Sequence, residues 1–232
     1  MFDITPIAAL KDNYIWMISD PDKKLAVVID PGEAKPVLET LQNKNLNLAG
    51  ILITHHHWDH TDGIPELLKH FDVPVYRSPL DDKVFMSELD LELSVLTIPG
   101  HTLEHIAFVG LGGVFCGDTL FCAGCGRVFE GTYEQMFNSL QLLSQLPDET
   151  KIYCGNEYTQ KNVEFARAVE PRNSDLILQT HAPSTMGVEK LTNPFLRCDH
   201  PIVREAVEKY SGKKLNTPVE VFTQMREWKN RF

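Results

Sequence analysis

Residues Thr54-His55-His56-His57-Trp58-Asp59-His60 follow directly on the apolar run Ile51 to Ile53. Four histidines and an aspartate thus fall within six consecutive positions. A lone histidine is ordinarily a satisfied core or surface residue, but four beside a buried strand are hard to justify as structure. Imidazole nitrogens and carboxylate oxygens are natural ligands for zinc and its neighbours. A loop leaving a strand end can aim His55 and His57 at one ion and Asp59 and His60 at a second. Alternation leaves His56 on the opposite side, and Trp58 shields the loop. Two coordination spheres need further ligands from elsewhere in the chain. Pro99-Gly100-His101-Thr102 places a histidine in a glycine-permitted turn, and Phe115-Cys116-Gly117-Asp118-Thr119 places an aspartate after another strand. Alone, Asp118 reads as a turn residue; beside the cluster, both sites read as its companions.

The chain around these sites alternates strand-like and helix-like stretches. Leu25–Ile29, Ile51–Ile53, Val73–Tyr76, Leu93–Ile98, Ala107–Val109, Gly113–Cys116 and Ile152–Cys154 read as strands. Asp30-Pro31-Gly32 reads as a turn. Pro36–Leu41, Gly63–Phe71 and Tyr133–Leu146 carry apolar residues at helical spacing. Beyond residue 158 only helices are expected, over Val163–Val169, Leu176–Thr180, Ile202–Tyr210 and Val219–Trp228. The expectation is an α/β domain over residues 1–158 and a helical domain over 159–232. With 232 residues the chain can bury a sizeable core.

Composition narrows the function classes. Basic residues number 22 against 32 acidic ones, a formal charge of −10. That balance argues against a nucleic-acid or anionic-membrane surface. No apolar run approaches the roughly 18–20 residues needed to span a bilayer, and no signal peptide is visible. The five cysteines are read as reduced thiols in a cytoplasmic protein. Cys122-x-x-Cys125 stands without a second pair and is read as packing rather than as a redox or zinc motif.

The order H-x-H-x-D-H, G-H-T, G-D-T resembles the metallo-β-lactamase superfamily. Asp118-Thr119-Leu120-Phe121, Gly124-Cys125-Gly126-Arg127, Glu130-Gly131-Thr132, Glu157-Tyr158-Thr159, Asn193-Pro194-Phe195-Leu196-Arg197 and Arg226-x-x-Lys229 narrow the resemblance to the glyoxalase II family over the whole chain. The resemblance implies an αββα sandwich with a small C-terminal helical domain and two divalent metal ions, zinc foremost, with iron or manganese as alternates. It assigns His55, His57 and His101 to one ion, Asp59 and His60 to the second, and Asp118 to both. The family completes the second site with a histidine where this chain has Asn156, so a weakened second site is expected.

The resemblance also implies hydrolysis of S-(2-hydroxyacyl)glutathione thioesters, with Asp59 orienting the attacking hydroxide. Arg127, Phe129, Tyr158, Arg226 and Lys229 would receive the glutathione part. Phe129 stands where many relatives carry a tyrosine, so a hydroxyl contact is lost there. A monomer without nucleic-acid or membrane partners is expected. The competing readings are a mononuclear-iron persulfide dioxygenase, a nuclease of the same fold, and a degenerate metal-binding domain. For Arg226 and Lys229 the plain alternative is the solvated face of a terminal helix.

Overall fold

The first strands form where the sequence shows little alternation. In a computed structural model describing residues 1–232, β1 (Asp3–Ala9) and β2 (Asn13–Asp20) pair antiparallel, with Ile7 opposite Ile15. Every residue of β2 except Tyr14 is buried. Such a strand reads as a continuous apolar run rather than as an alternation, and these two strands are absent from the sequence-based expectation. β3 (Leu25–Ile29) pairs antiparallel with β2. α1 (Ala34–Lys44) then crosses over to β4 (Asn47–Leu52), which lies parallel to β3. After α2 (Trp58–Thr61) and α3 (Ile64–His70), β5 (Val75–Tyr76) joins parallel to β4. The sheet order is β1-β2-β3-β4-β5. Val37 and Leu41 of α1 and Leu67 of α3 pack on Ile15, Met17, Val28 and Ile51 in one apolar cluster.

An antiparallel ladder follows: β6 (Lys83–Met86), β7 (Leu91–Thr97), β8 (Ile106–Gly110) and β9 (Gly113–Gly117). β6 was not expected from sequence, because four residues give too short an alternation to recognise. β1 to β9 and α1 to α3 belong to one compact unit, Met1–Thr97 with Glu104–Gly117 and Gly155–Glu157.

The second unit comprises Ile98–Leu103, Asp118–Cys154 and Tyr158–Phe232. It opens with the short hairpin β10 (Leu120–Phe121) and β11 (Gly124–Cys125). α4 (Tyr133–Ser144) starts from a capping box in which Thr132 and Gln135 satisfy each other's backbone N–H groups. β12 (Lys151–Cys154) is followed by α5 (Thr159–Val169) and a 3-10 turn over Ser174–Leu178. β13 (Ser184–Thr185) pairs antiparallel with β12, so the expectation of no strand beyond residue 158 is corrected. The stretch expected as a helix over Leu176–Thr180 is that 3-10 turn, shifted two residues towards the N-terminus. α6 (Met186–Thr192), α7 (Pro201–Ser211) and α8 (Pro218–Arg231) complete the chain, and α6 too was missed from sequence. Phe222 of α8 is fully buried against Phe137 and Phe195. A side chain of this size contributes about 1.5–3 kcal/mol on burial.

Glu189 is the polar counterpart of this packing. Fully buried, it accepts from Ala123 N at 3.0 Å, Gln179 Nε2 at 2.6 Å, Asn193 Nδ2 at 2.8 Å and the Ser184 hydroxyl. Asn193 in turn donates to the carbonyls of Phe121 and Gly124. The hairpin that follows Asp118 is therefore fixed from beneath by α6.

Candidate functional site

In the first unit the histidine cluster occupies the loop between β4 and α2. Asp30, at the end of β3 and 4 % exposed, anchors it. Its carboxylate accepts from Thr54 N at 2.7 Å, Thr54 Oγ1 at 2.6 Å and His60 Nδ1 at 3.2 Å. Thr54 has used its proton on Asp30, so its Oγ1 accepts from His55 Nδ1 at 3.0 Å. Both rings thereby hold their proton on Nδ1 and present an Nε2 lone pair, the arrangement by which oxygen acceptors orient metal-bound histidines. His105, fully buried, stacks on His55 with centroids 4.6 Å apart. From sequence Asp30 reads as a turn residue and His105 as a surface residue or a neighbour of the ligands; neither sits in the contiguous motif that signals the cluster.

The donor spacing fits a metal ion. His55 Nε2 and His57 Nδ1 lie 3.1 Å apart. Two nitrogens on one tetrahedral ion at about 2.0–2.1 Å would stand about 3.3 Å apart. Ligand atoms of Asp30, His55 and His60 also converge within 4.8 Å of one another. His60 Nε2 and Asp59 Oδ2 are 3.4 Å apart, and Asn13 Nδ2 donates to the same Asp59 oxygen at 2.9 Å. Burial raises the Asp59 pKa; the hydrogen bond and charge of His60, when its Nε2 also carries a proton, and the Asn13 amide lower it, and the net direction is downward. Gly32 makes this packing possible, because a Cβ there would stand 1.8 Å from the Asp59 carbonyl oxygen. Asn156 is 2 % exposed and forms an antiparallel bridge with Asn13. His56 is exposed, while Trp58, expected to shield the loop, is itself 63 % exposed.

In the second unit His101 and Asp118 come together. His101 Nδ1 donates to the Arg127 carbonyl at 2.8 Å, which leaves the Nε2 lone pair 3.7 Å from Asp118 Oδ2. Gly100 has φ +151, and a Cβ there would meet the Met136 backbone at 2.6 Å, so the turn before His101 does require glycine. Gly126 crosses Asp118 just as closely: its Cβ would lie 1.8 Å from the Asp118 carbonyl.

A cavity of about 660 Å³ in this unit is lined by His101 and Asp118 together with Arg127, Phe129, Tyr158, Arg226 and Lys229. The solvated-face alternative fails for Arg226, which is 3 % exposed. Its Nη1 donates to the Cys125 carbonyl at 2.7 Å, and its guanidinium lies 5.1 Å from the Phe195 ring centre. Lys229 Nζ sits 4.8 Å from the Phe165 ring centre. Burial first, then the Arg226 charge, pull its pKa down to about 8. Arg127 and Phe129 are exposed at the rim, while Tyr158 is half-buried against Phe121. All five cysteines are free and buried; Cys122 and Cys125 pack as expected, and burial raises the Cys125 thiol pKa.

Known proteins carry the same features. The family described as "Metallo-beta-lactamase superfamily" matches residues 11–97, and "Hydroxyacylglutathione hydrolase C-terminus" matches residues 157–232. A hydroxyacylglutathione hydrolase of Nitrosomonas eutropha is 48 % identical over 100 % of both chains, and one of Aliivibrio fischeri is 46 % identical with the same coverage. Among solved structures, ETHE1 from Myxococcus xanthus has a TM-score of 0.70 at 26 % identity, covering 98 % of this chain and 91 % of its own. TTHA1623 in a di-iron-bound form has a TM-score of 0.63 at 25 % identity, covering 83 % of this chain and 100 % of its own. The fold is thus the metallo-β-lactamase α/β fold with a helical C-terminal region, and its histidine and aspartate clusters have the character of divalent-metal sites. The chain belongs to the hydroxyacylglutathione hydrolase (glyoxalase II) family of the metallo-β-lactamase superfamily.

Proposed function

We propose that this protein hydrolyses S-(2-hydroxyacyl)glutathione thioesters, S-D-lactoylglutathione foremost, to a 2-hydroxy acid and glutathione, the second step of methylglyoxal detoxification. The observation that carries the reading is the single cavity joining His101 and Asp118 to Arg127, Tyr158, Arg226 and Lys229. Its volume falls in the range of small-molecule sites, about 300–1,000 Å³. Full-length relatives named hydroxyacylglutathione hydrolase favour this activity over persulfide oxidation.

In this reading His55, His57 and His101 would hold one ion and Asp59, His60 and Asn156 the second, with Asp118 available to either. The imidazole-rich first set suits zinc. The neutral Asn156 amide is a poorer zinc ligand than imidazole, so the second ion is held less tightly. A divalent metal held there would supply a water whose pKa falls from about 15.7 towards 7 and would polarise the carbonyl to be attacked. Asp59, ionised and fixed by Asn13, orients the attacking water and accepts its proton. Arg127, Arg226 and Lys229 receive the glutathione carboxylates, the guanidinium groups by paired hydrogen bonds and the ammonium as a point charge. Phe129 offers only its ring, 5.3 Å from that of His101. Residues 1–158 then carry the chemistry together with Arg127, Phe129 and Tyr158 of the recognition site, and residues 159–232 add Arg226 and Lys229, a division supported by the C-terminal family match over 157–232.

The test is thiol release from S-D-lactoylglutathione by the purified, metal-loaded protein. Activity should vanish with a chelator and return with added metal; chelator-resistant hydrolysis by homogeneous protein refutes the mechanism. Oxygen uptake with glutathione persulfide in place of thioester hydrolysis would assign the dioxygenase activity instead.

A further inference from the structure

Asp12 is the residue that acts on the position where this chain departs from its family. The strand pairing first fixes where Asn156 points. Tyr14 N donates to the Gly155 carbonyl at 2.8 Å and Glu157 N to the Asp12 carbonyl at 2.8 Å, flanking the antiparallel bridge between Asn13 and Asn156. Hydrogen bonds on either side of the bridged pair make it a non-hydrogen-bonded pair, in which side chains share a face and approach most closely. The Asn13 amide on that face is the one that donates to Asp59. Asn156 therefore extends towards the Asp59 and His60 carboxylate–imidazole pair.

Which end of its amide faces that pair is a separate question, because oxygen and nitrogen are related by a half-turn of the side chain. Asn156 Nδ2 donates to Asp12 Oδ1 at 3.2 Å. An amide whose nitrogen is held on one side carries its oxygen on the other, and Asn156 Oδ1 is buried. We propose that Asp12 is a positioning residue for the second metal ion: it holds the Asn156 amide with its oxygen towards the site and polarises that oxygen into a better ligand. This rests on the dinuclear reading above. The physical precedent is general, since carboxylates that accept a hydrogen bond from a metal ligand orient it and raise its basicity, and their loss costs about 10–100-fold in metal affinity. Here the ligand is an amide, so the carboxylate compensates in part for a missing imidazole. An oxygen ligand of this kind also penalises manganese less than zinc, relative to a histidine.

The experiment is a metal titration of the apoprotein with zinc and with manganese, read by calorimetry and by ions retained per chain. In the parent protein two ions should bind in resolved steps. Asp12→Ala should weaken the second step about tenfold or more and leave the first unchanged, which also reports that the variant is folded. Asp12→Asn keeps an acceptor but loses the charge and should fall between. In an Asn156→Ala background, Asp12→Ala should have no further effect on the second step. Uptake of a single ion by the parent protein refutes the dinuclear reading itself. Two ions with an unchanged second step in Asp12→Ala, or an equal loss in the Asn156→Ala background, overturns the role of Asp12 alone.

Discussion

If Lys229 receives a substrate carboxylate, as proposed, recognition should depend on pH. Its ammonium is drawn down to about 8 by burial and by Arg226, against weaker support from Cys125 and Glu164. Below that value it is charged and can meet a carboxylate; above it the charge is lost. With a pKa of about 8, roughly nine-tenths of the molecules carry the cation at pH 7 and roughly one-tenth at pH 9. Apparent affinity scales with the competent fraction, so KM for the glutathione thioester should rise about tenfold between pH 7 and pH 9. The contact is made equally in ground and transition states, so kcat should not share this dependence. Initial rates across this range at constant ionic strength give the profile. Lys229→Met supplies the baseline, because titration of the substrate's own amino group affects both proteins alike. The readout is the ratio of KM in the variant to KM in the parent, which should fall about tenfold from pH 7 to pH 9. A ratio that stays constant refutes the assignment of the substrate charge to Lys229.

Three further outcomes are expected. Glu189→Ala removes the acceptor of four donors, three of them buried, and should lower unfolding free energy by about 3 kcal/mol or more; a loss under about 1 kcal/mol in urea titration would deny Glu189 that role. Gly126→Ala forces the loop off the Asp118 carbonyl and should reduce ions retained after dialysis, whereas Gly112→Ala, at φ +74 with nothing within 4 Å, should cost only about 1 kcal/mol of stability and no metal. Asn156→His should raise second-ion occupancy in a zinc titration and the hydrolysis rate with it, and equal occupancy in both proteins would mark asparagine as an adequate ligand.

The parts of the site legible from sequence are those whose residues are contiguous or follow a glycine turn. His55 to His60 announce themselves because the donor atoms are crowded into one loop, and Gly100 before His101 because the turn needs its φ. Asp30 was hidden by its own neighbours: before proline and glycine an aspartate reads as a turn former, and only the folded chain brings Thr54 and His60 onto its carboxylate. Arg226 shows the opposite limit. Helical spacing places it on α8 but cannot say which face is covered, and its burial depends on Cys125, a hundred residues earlier in the chain. β2 escaped notice because burial on both faces removes the alternation by which strands are recognised, and β13 because it spans two residues. Asn13 gave no signal at all, since its role is a hydrogen bond to Asp59 that only the folded chain creates.

The pairing of Asn13 with Asn156 has a consequence for how the chain can vary. Surface loops generally accept insertions and deletions, and the turn between β1 and β2 looks like such a loop, with Leu10 and Lys11 exposed. Side chains alternate faces along a strand, so a slip of one residue inverts the whole set. Inserting a single residue at Asp12 that shifted the register would turn the Asn13 amide away from Asp59 and, with it, Ile15 and Met17 out of the apolar cluster, and one at Gly155 would break the Asn13–Asn156 pairing. Change in length there is confined to the tip at Leu10 and Lys11, where the ladder stays in phase. Two neighbouring stretches of one turn are thus under opposite tolerances, and the division between them falls at Asp12.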